Sequence, residues 1–185
     1  MNTTRMHHTL AAALVFCAAT VQAHVALEEP KAFAGTGYKA VLRISHGCES
    51  TATHTVVVDL PAGFRGAKPM PKAGWKISIT RATLPQPYES HGRTISDDVA
   101  RITWTATSPA NALLDEQFDE FVLRGQAPAQ TGPAWFKVRQ LCVKGEWNWA
   151  EVPAAGADGK FSTQGLKAPA VRLDVHPAEH AGHMH

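Results

Sequence analysis

Alternation with a period of two runs through most of this chain, and it admits few folds. From residue 75 to 81, Trp75, Ile77 and Ile79 alternate with Lys76, Ser78 and Thr80. Residues 100–106 repeat the pattern, setting Ile102 and Trp104 against Arg101, Thr103 and Thr105. Successive side chains of a strand point to opposite faces, so each run reads as a strand with one buried face. Residues 38–45, 53–60, 118–124, 134–143, 147–152 and 171–175 are further strand candidates. Proline and glycine clusters at 61–63, 69–74, 85–87 and 127–133 read as the turns between them. Only 111–117 hints at a helical turn, and 154–159 reads as a surface loop. About eight to ten short strands with such punctuation predict an all-β fold, an antiparallel β-sandwich of two sheets. No internal repeat or linker divides it, so a single domain is expected.

The first 23 residues have a different character. Arg5 precedes an apolar run from Leu10 to Ala19, and Val21-Gln22-Ala23 is a small-residue cleavage site. This is the anatomy of a secretory signal, which places the product in the periplasm or outside the cell. Cleavage after Ala23 makes His24 the first residue, with a free α-amine beside its imidazole. The amine nitrogen and Nδ1 can then chelate one metal ion, and nitrogen-rich sites suit Cu(II). Export also explains the cysteines. Cys17 is removed with the signal, leaving Cys48 and Cys142, which in an oxidising compartment most simply form one disulfide. Two thiolates on a metal are the alternative, with no other sulfur-rich feature around them.

The charge balance is nearly even, at a formal +2 for the whole chain, and gives no reason to expect a nucleic-acid partner. After the signal no apolar run is long enough to span a bilayer. Residues 176–185 carry His176, His180, His183, Met184 and His185 without apolar periodicity. Such a flexible, His-rich tail can take up copper weakly, or can be a solvated end with incidental histidines.

Several pieces of the chain occur in an order that resembles the YcnI-like family of bacterial copper-binding proteins. They are His24-Val25, His46-Gly47-Cys48-Glu49, Lys72-Ala73-Gly74-Trp75 and Phe118-Asp119-Glu120-Phe121 with Arg124-Gly125. Gln140-Leu141-Cys142 and Trp149-Ala150-Glu151-Val152-Pro153 follow. The resemblance implies a sandwich of the cupredoxin or immunoglobulin kind over residues 24–175. It also implies a monohistidine brace, in which His24 and Glu49 are the Cu(II) ligands and Trp149 is their neighbour. The implied function is copper homeostasis, as chaperone or store. The implied partners are copper and another copper-handling or membrane copper-transport protein. Ser50 departs from the related motif, which often has glycine there.

The same residues have plainer readings. Glu49 alone is an ordinary turn carboxylate, and Trp149 is core packing, as Trp75 and Trp104 are expected to be. Trp147 shares a strand face with Trp149 and competes for any tryptophan role. His46 competes with Glu49 as a ligand, but is expected to hydrogen-bond within its own loop. His54 and His91 read as surface or capping residues. A copper oxygenase also begins with a chelating histidine but needs a second imidazole where the resemblance supplies a carboxylate. No reaction is therefore expected. A metal-free sandwich that binds another protein remains the third reading.

Overall fold

The computed structural model describes residues 24–178. The signal, and His180, His183, Met184 and His185 of the tail, lie outside the described residues. In chain order the strands are β1 (Ala26–Leu27), β2 (Lys31–Phe33), β3 (Gly37–Ile44), β4 (Thr53–Asp59), β5 (Arg65–Pro69) and β6 (Trp75–Ser90). They continue with β7 (Arg93–Ala106), β8 (Asp119–Gln126), β9 (Gly132–Cys142), β10 (Glu146–Trp149) and β11 (Val171–His176). One sheet has the order β1-β3-β8-β5 and the other β2-β11-β9-β4-β7-β6, with β10 also paired to β9. Every pairing is antiparallel except that of β2 with β11. The fold is thus the expected all-β sandwich. Among the described residues helix is confined to a 3-10 turn at Pro109–Asn111, just ahead of the segment where a helical turn was expected.

Alternation builds the core. On β9, Ala134, Phe136, Val138, Gln140 and Cys142 all point inward. On β3, Tyr38, Ala40, Leu42 and Ile44 meet them from the opposite sheet. An irregularity between Thr53 and Thr55 shifts the parity of β4, so Val56 and Val58 become the buried pair. Phe121 receives Trp75 and Trp104 edge-on, at 5.1 and 5.7 Å between ring centres. Each such buried side chain contributes roughly 1.5–3 kcal/mol of transfer free energy.

Two expectations are corrected. Residues 85–87 are not a turn between strands, because β6 runs through them to Ser90. Pro85 and Pro87 donate no hydrogen bond, and the β6–β7 register shifts between Thr83 and Tyr88 to accommodate them. This is possible because β6 is an edge strand. Strands β6 and β7 therefore form a long arm that outgrows the core, and Ile79 is exposed despite its inward parity. The second correction is at the end of the domain, where His176 belongs to β11, its ring 6.5 Å from that of Phe33.

The arm is fastened to β5 through one carboxylate. Asp98 is buried and accepts hydrogen bonds from Tyr88 Oη (2.6 Å), Gly66 N (2.8 Å) and Val99 N (2.7 Å). The Arg65 guanidinium lies 4.4 Å over the Tyr88 ring. Burial pushes the Asp98 carboxyl up, but those hydrogen bonds and Arg81 hold it below its ordinary value. Burial and the bond to Asp98 push Tyr88 up to about 12. Asp98 thus contributes stability above its ordinary pKa and loses it as pH falls through the lowered one. Tyr88 contributes below an ordinary phenol pKa of about 10 and loses it as pH rises toward 12. Tyr38, the other tyrosine, is also raised, by burial and then by Glu29. A phenolate absorbance titration should therefore show little ionisation at about pH 10, where a free phenol is half ionised. A midpoint near 10 for Tyr88 would mean that the arm is not docked.

Candidate metal centre

The loop between β3 and β4 is shaped by contacts that its own residues dictate. At Gly47 a Cβ would fall 1.8 Å from the Thr51 carbonyl oxygen, so only glycine fits this crossing. Gly47 N also donates to Asp115 Oδ1 at 2.8 Å. Cys48 and Thr51 then pair across a two-residue turn, each amide donating to the other's carbonyl. The central residues, Glu49 (φ 48°) and Ser50 (φ 56°), are both left-handed, as a type I′ turn requires. The second such position favours glycine, which gives the Ser50 departure a physical meaning: the turn forms with a non-glycine residue in a costly conformation.

Two features tie this turn to the β9–β10 hairpin. The first is the Cys48–Cys142 disulfide, with Cα atoms 5.7 Å apart, which bears out the expected pairing. The second is the carboxylate of Glu49 itself, which lies against Gly145 in the hairpin turn. A Cβ on Gly145 (φ 70°) would meet Glu49 Oε1 at 2.9 Å. Lys144 N donates to Thr51 Oγ1 at 3.0 Å in the same corner. Glu49 is exposed.

Strand β10 returns from that turn with Trp147 and Trp149 on one face, their rings stacked at 5.0 Å and 23°. Trp149 is 2% exposed and Trp147 36%. The half-buried ring of His24, just ahead of β1, stands edge-on to Trp149 at 5.2 Å. The chain thus brings His24 and Trp149 into contact, and hangs Glu49 on the hairpin that carries Trp149. The indole Nε1 of Trp149 donates to Gln140 Oε1 at 3.4 Å. The indole nitrogen is a donor only, with no lone pair to offer a metal.

The competing histidines are accounted for differently. His46 bonds through Nδ1 to the Gly47 carbonyl within its own loop, as expected, and its ring stands 6.5 Å from Trp147. His54 is half-buried in β4, with Nδ1 on Thr55 Oγ1 (2.9 Å) and Nε2 on the Cys142 carbonyl (3.0 Å). It holds the Cys142 carbonyl at the end of the disulfide strand, the capping role that was one of its two expected readings. His91 occupies the two-residue turn of the β6–β7 arm, far along the chain from these contacts. Among the described residues no group of three or more His, Cys, Asp or Glu side chains is disposed to hold a metal. A brace of His24 and Glu49 needs only two, since one of them contributes two nitrogens.

Gln140 is the residue whose role went unread. It is fully buried, and its amide nitrogen donates to the His46 carbonyl (2.6 Å) and Thr53 Oγ1 (2.7 Å) while its oxygen receives Trp149. One amide therefore joins the loop, β4 and β10. Its signal in the sequence is a polar residue at an inward position of a strand otherwise lined by Phe136 and Val138.

A family described as a domain of unknown function, DUF1775, matches residues 24–175, most of the chain. The chain belongs to DUF1775. No curated protein matches this DUF1775 chain. An uncharacterized protein from Nocardia farcinica with an immunoglobulin-like fold is similar to it at 23% identity, covering 82% of this chain and 97% of that one, with a TM-score of 0.61. That likeness shows the fold of the DUF1775 domain to be immunoglobulin-like. A cohesin module from a Clostridium perfringens family 33 glycoside hydrolase matches at 10% identity, 83% and 96% coverage and a TM-score of 0.42. That similarity is too remote to argue from.

Proposed function

We propose that this protein holds Cu(II) outside the cytoplasm, in the periplasm or after secretion, and passes it on without catalysing a reaction. The α-amine and imidazole of His24 and the carboxylate of Glu49 are the ligands, and Trp149 is the adjoining wall. The observation that carries this reading is the edge-on contact of His24 with Trp149, on the hairpin against which Glu49 rests. Two nitrogens and a carboxylate oxygen are a borderline-hard set that suits Cu(II), with no thiolate to favour Cu(I). The disulfide supports the compartment, since such bonds persist in oxidising surroundings. Among the described residues no helix is long and apolar enough to cross a membrane. The recipient of the copper is another copper-handling protein or a membrane copper transporter.

The test is native mass spectrometry of the exported protein with copper titrated in. A chain starting at His24 that takes up one tightly held copper is expected. Glu49→Gln should weaken that first equivalent on the order of tenfold or more, since a ligand matters at least as much as its outer-shell partners. Any other first residue removes the amine and with it the proposal.

A further inference from the structure

The outer face of the four-stranded sheet carries a feature unrelated to the metal centre. Lys39 on β3 lies opposite Arg124 on β8, and Arg124 lies opposite Lys68 on β5. Three exposed cations thus occupy one row across three strands. Among the described residues each ion pair lies elsewhere, at Lys72–Asp119, Arg101–Asp59, Lys160–Asp158 and Arg172–Asp174. Like charges set directly opposite one another destabilise a sheet, so a fold that keeps such a row has a reason to expect an anion there.

The neighbouring row is apolar. Val41 lies opposite Val122, and Met70 N donates to the Val122 carbonyl at 2.8 Å. Met70 is 51% exposed. Two depressions meet at the cation row and share Lys68 and Arg124 as lining. One, of about 540 Å³, is floored by Pro69, Met70, Pro71 and Val122 and is largely apolar. The other lies beneath the tip of the β6–β7 arm and adds Arg65, Tyr88 and His91. Among the described residues no aspartate or glutamate lines either depression. An apolar trough that ends in a bank of cations has the polarity of an anionic amphiphile laid lengthwise.

We propose that this trough binds a single phosphate-headed lipid. The head sits on Lys39, Arg124 and Lys68, and the apolar part lies along Met70, Pro71 and Val122. Three cations match the oxygens and charge of a phosphate better than the two oxygens of a carboxylate, and the Arg124 guanidinium offers a two-pronged donor. The lipid is a dispersed monomer, because a molecule lying lengthwise on the sheet keeps its tail on the protein and out of a leaflet.

Calorimetric titration with dihexanoyl phosphatidic acid, kept monomeric, tests the proposal. Inorganic phosphate and dihexanoyl phosphatidylcholine serve as head-only and zwitterionic probes. The phosphatidic acid should bind at least tenfold more tightly than either. Lys68→Gln with Arg124→Gln should lose at least tenfold of that affinity, while Met70→Ser should weaken the lipid and leave inorganic phosphate unchanged. These side chains are exposed, so an unchanged denaturation midpoint is expected for each variant and separates lost binding from lost folding. In flotation with phosphatidylglycerol vesicles the protein should stay at the bottom, and a protein that rises with them overturns the monomer as occupant. Equal affinity for phosphate and phosphatidic acid, or for the zwitterionic lipid, overturns the proposal, as does no binding at all.

Discussion

Adding one residue ahead of His24 should weaken Cu(II) binding by well over about 100-fold, beyond the loss typical of an outer-shell partner. The addition converts the α-amine to an amide, whose lone pair is delocalised into the carbonyl and whose basicity is gone. Imidazole and Glu49 remain, but the chelate ring does not. Deleting residues 176–185 serves as the matched control and should leave the first equivalent largely intact, lowering only weaker uptake. A competition titration against a Cu(II) chelator reads both variants beside the protein starting at His24. Tight binding that survives the extension and disappears with the tail would make the His-rich tail the real site.

Replacing Cys48 and Cys142 together by alanine should destabilise the domain by about 4–5 kcal/mol, the entropy expected for a long closed loop. The two residues are 94 apart in sequence, so the unfolded chain gains a great deal of freedom when the bond is absent. Both cysteines are buried, so alanine leaves small voids that add to the loss. Denaturant unfolding of the two forms measures the difference. A change under about 1 kcal/mol would show that the bond is dispensable for stability, as happens when native strain offsets the entropy. The variant should also bind the first copper more weakly, because the turn bearing Glu49 then hangs on the hairpin by hydrogen bonds alone.

How far the sequence could be read depended on which interaction decided each element. Strand β9 was legible because Phe136 and Val138 are buried by simple alternation, and Trp75 and Trp104 were legible as core for the same reason. The disulfide followed from chemistry, since only two cysteines outlast the signal. Strand β6 was truncated in the reading because Pro85 and Pro87 look like a turn, and only edge position with a register shift lets a strand contain them. Strands β1, β2 and β5 are short or polar and owe their existence to partners distant in sequence. Glu49 and Trp149 were suggested by resemblance, whereas Gln140 acts through three partners on three segments, which no local pattern encodes. His54 was legible as a surface or capping residue, but its partner, a carbonyl 88 residues away, is named by no local pattern.

Strand β1 joins one sheet and β2 the other, so within ten residues of His24 the chain is sewn into both layers. Asp174 N, donating to the Pro30 carbonyl at 2.8 Å, closes the second stitch with the last strand. With the amine as ligand, this stitching sets a schedule for biogenesis. Before export the leader occupies the amine, and the nascent chain takes no copper by this route from the cytosol. His24 meets Trp149 in the domain whose first strands are paired to β3 and to the last strand. On the proposed ligand set, cargo would be accepted only by molecules that have been cut and folded, and loading would become a certificate of maturation.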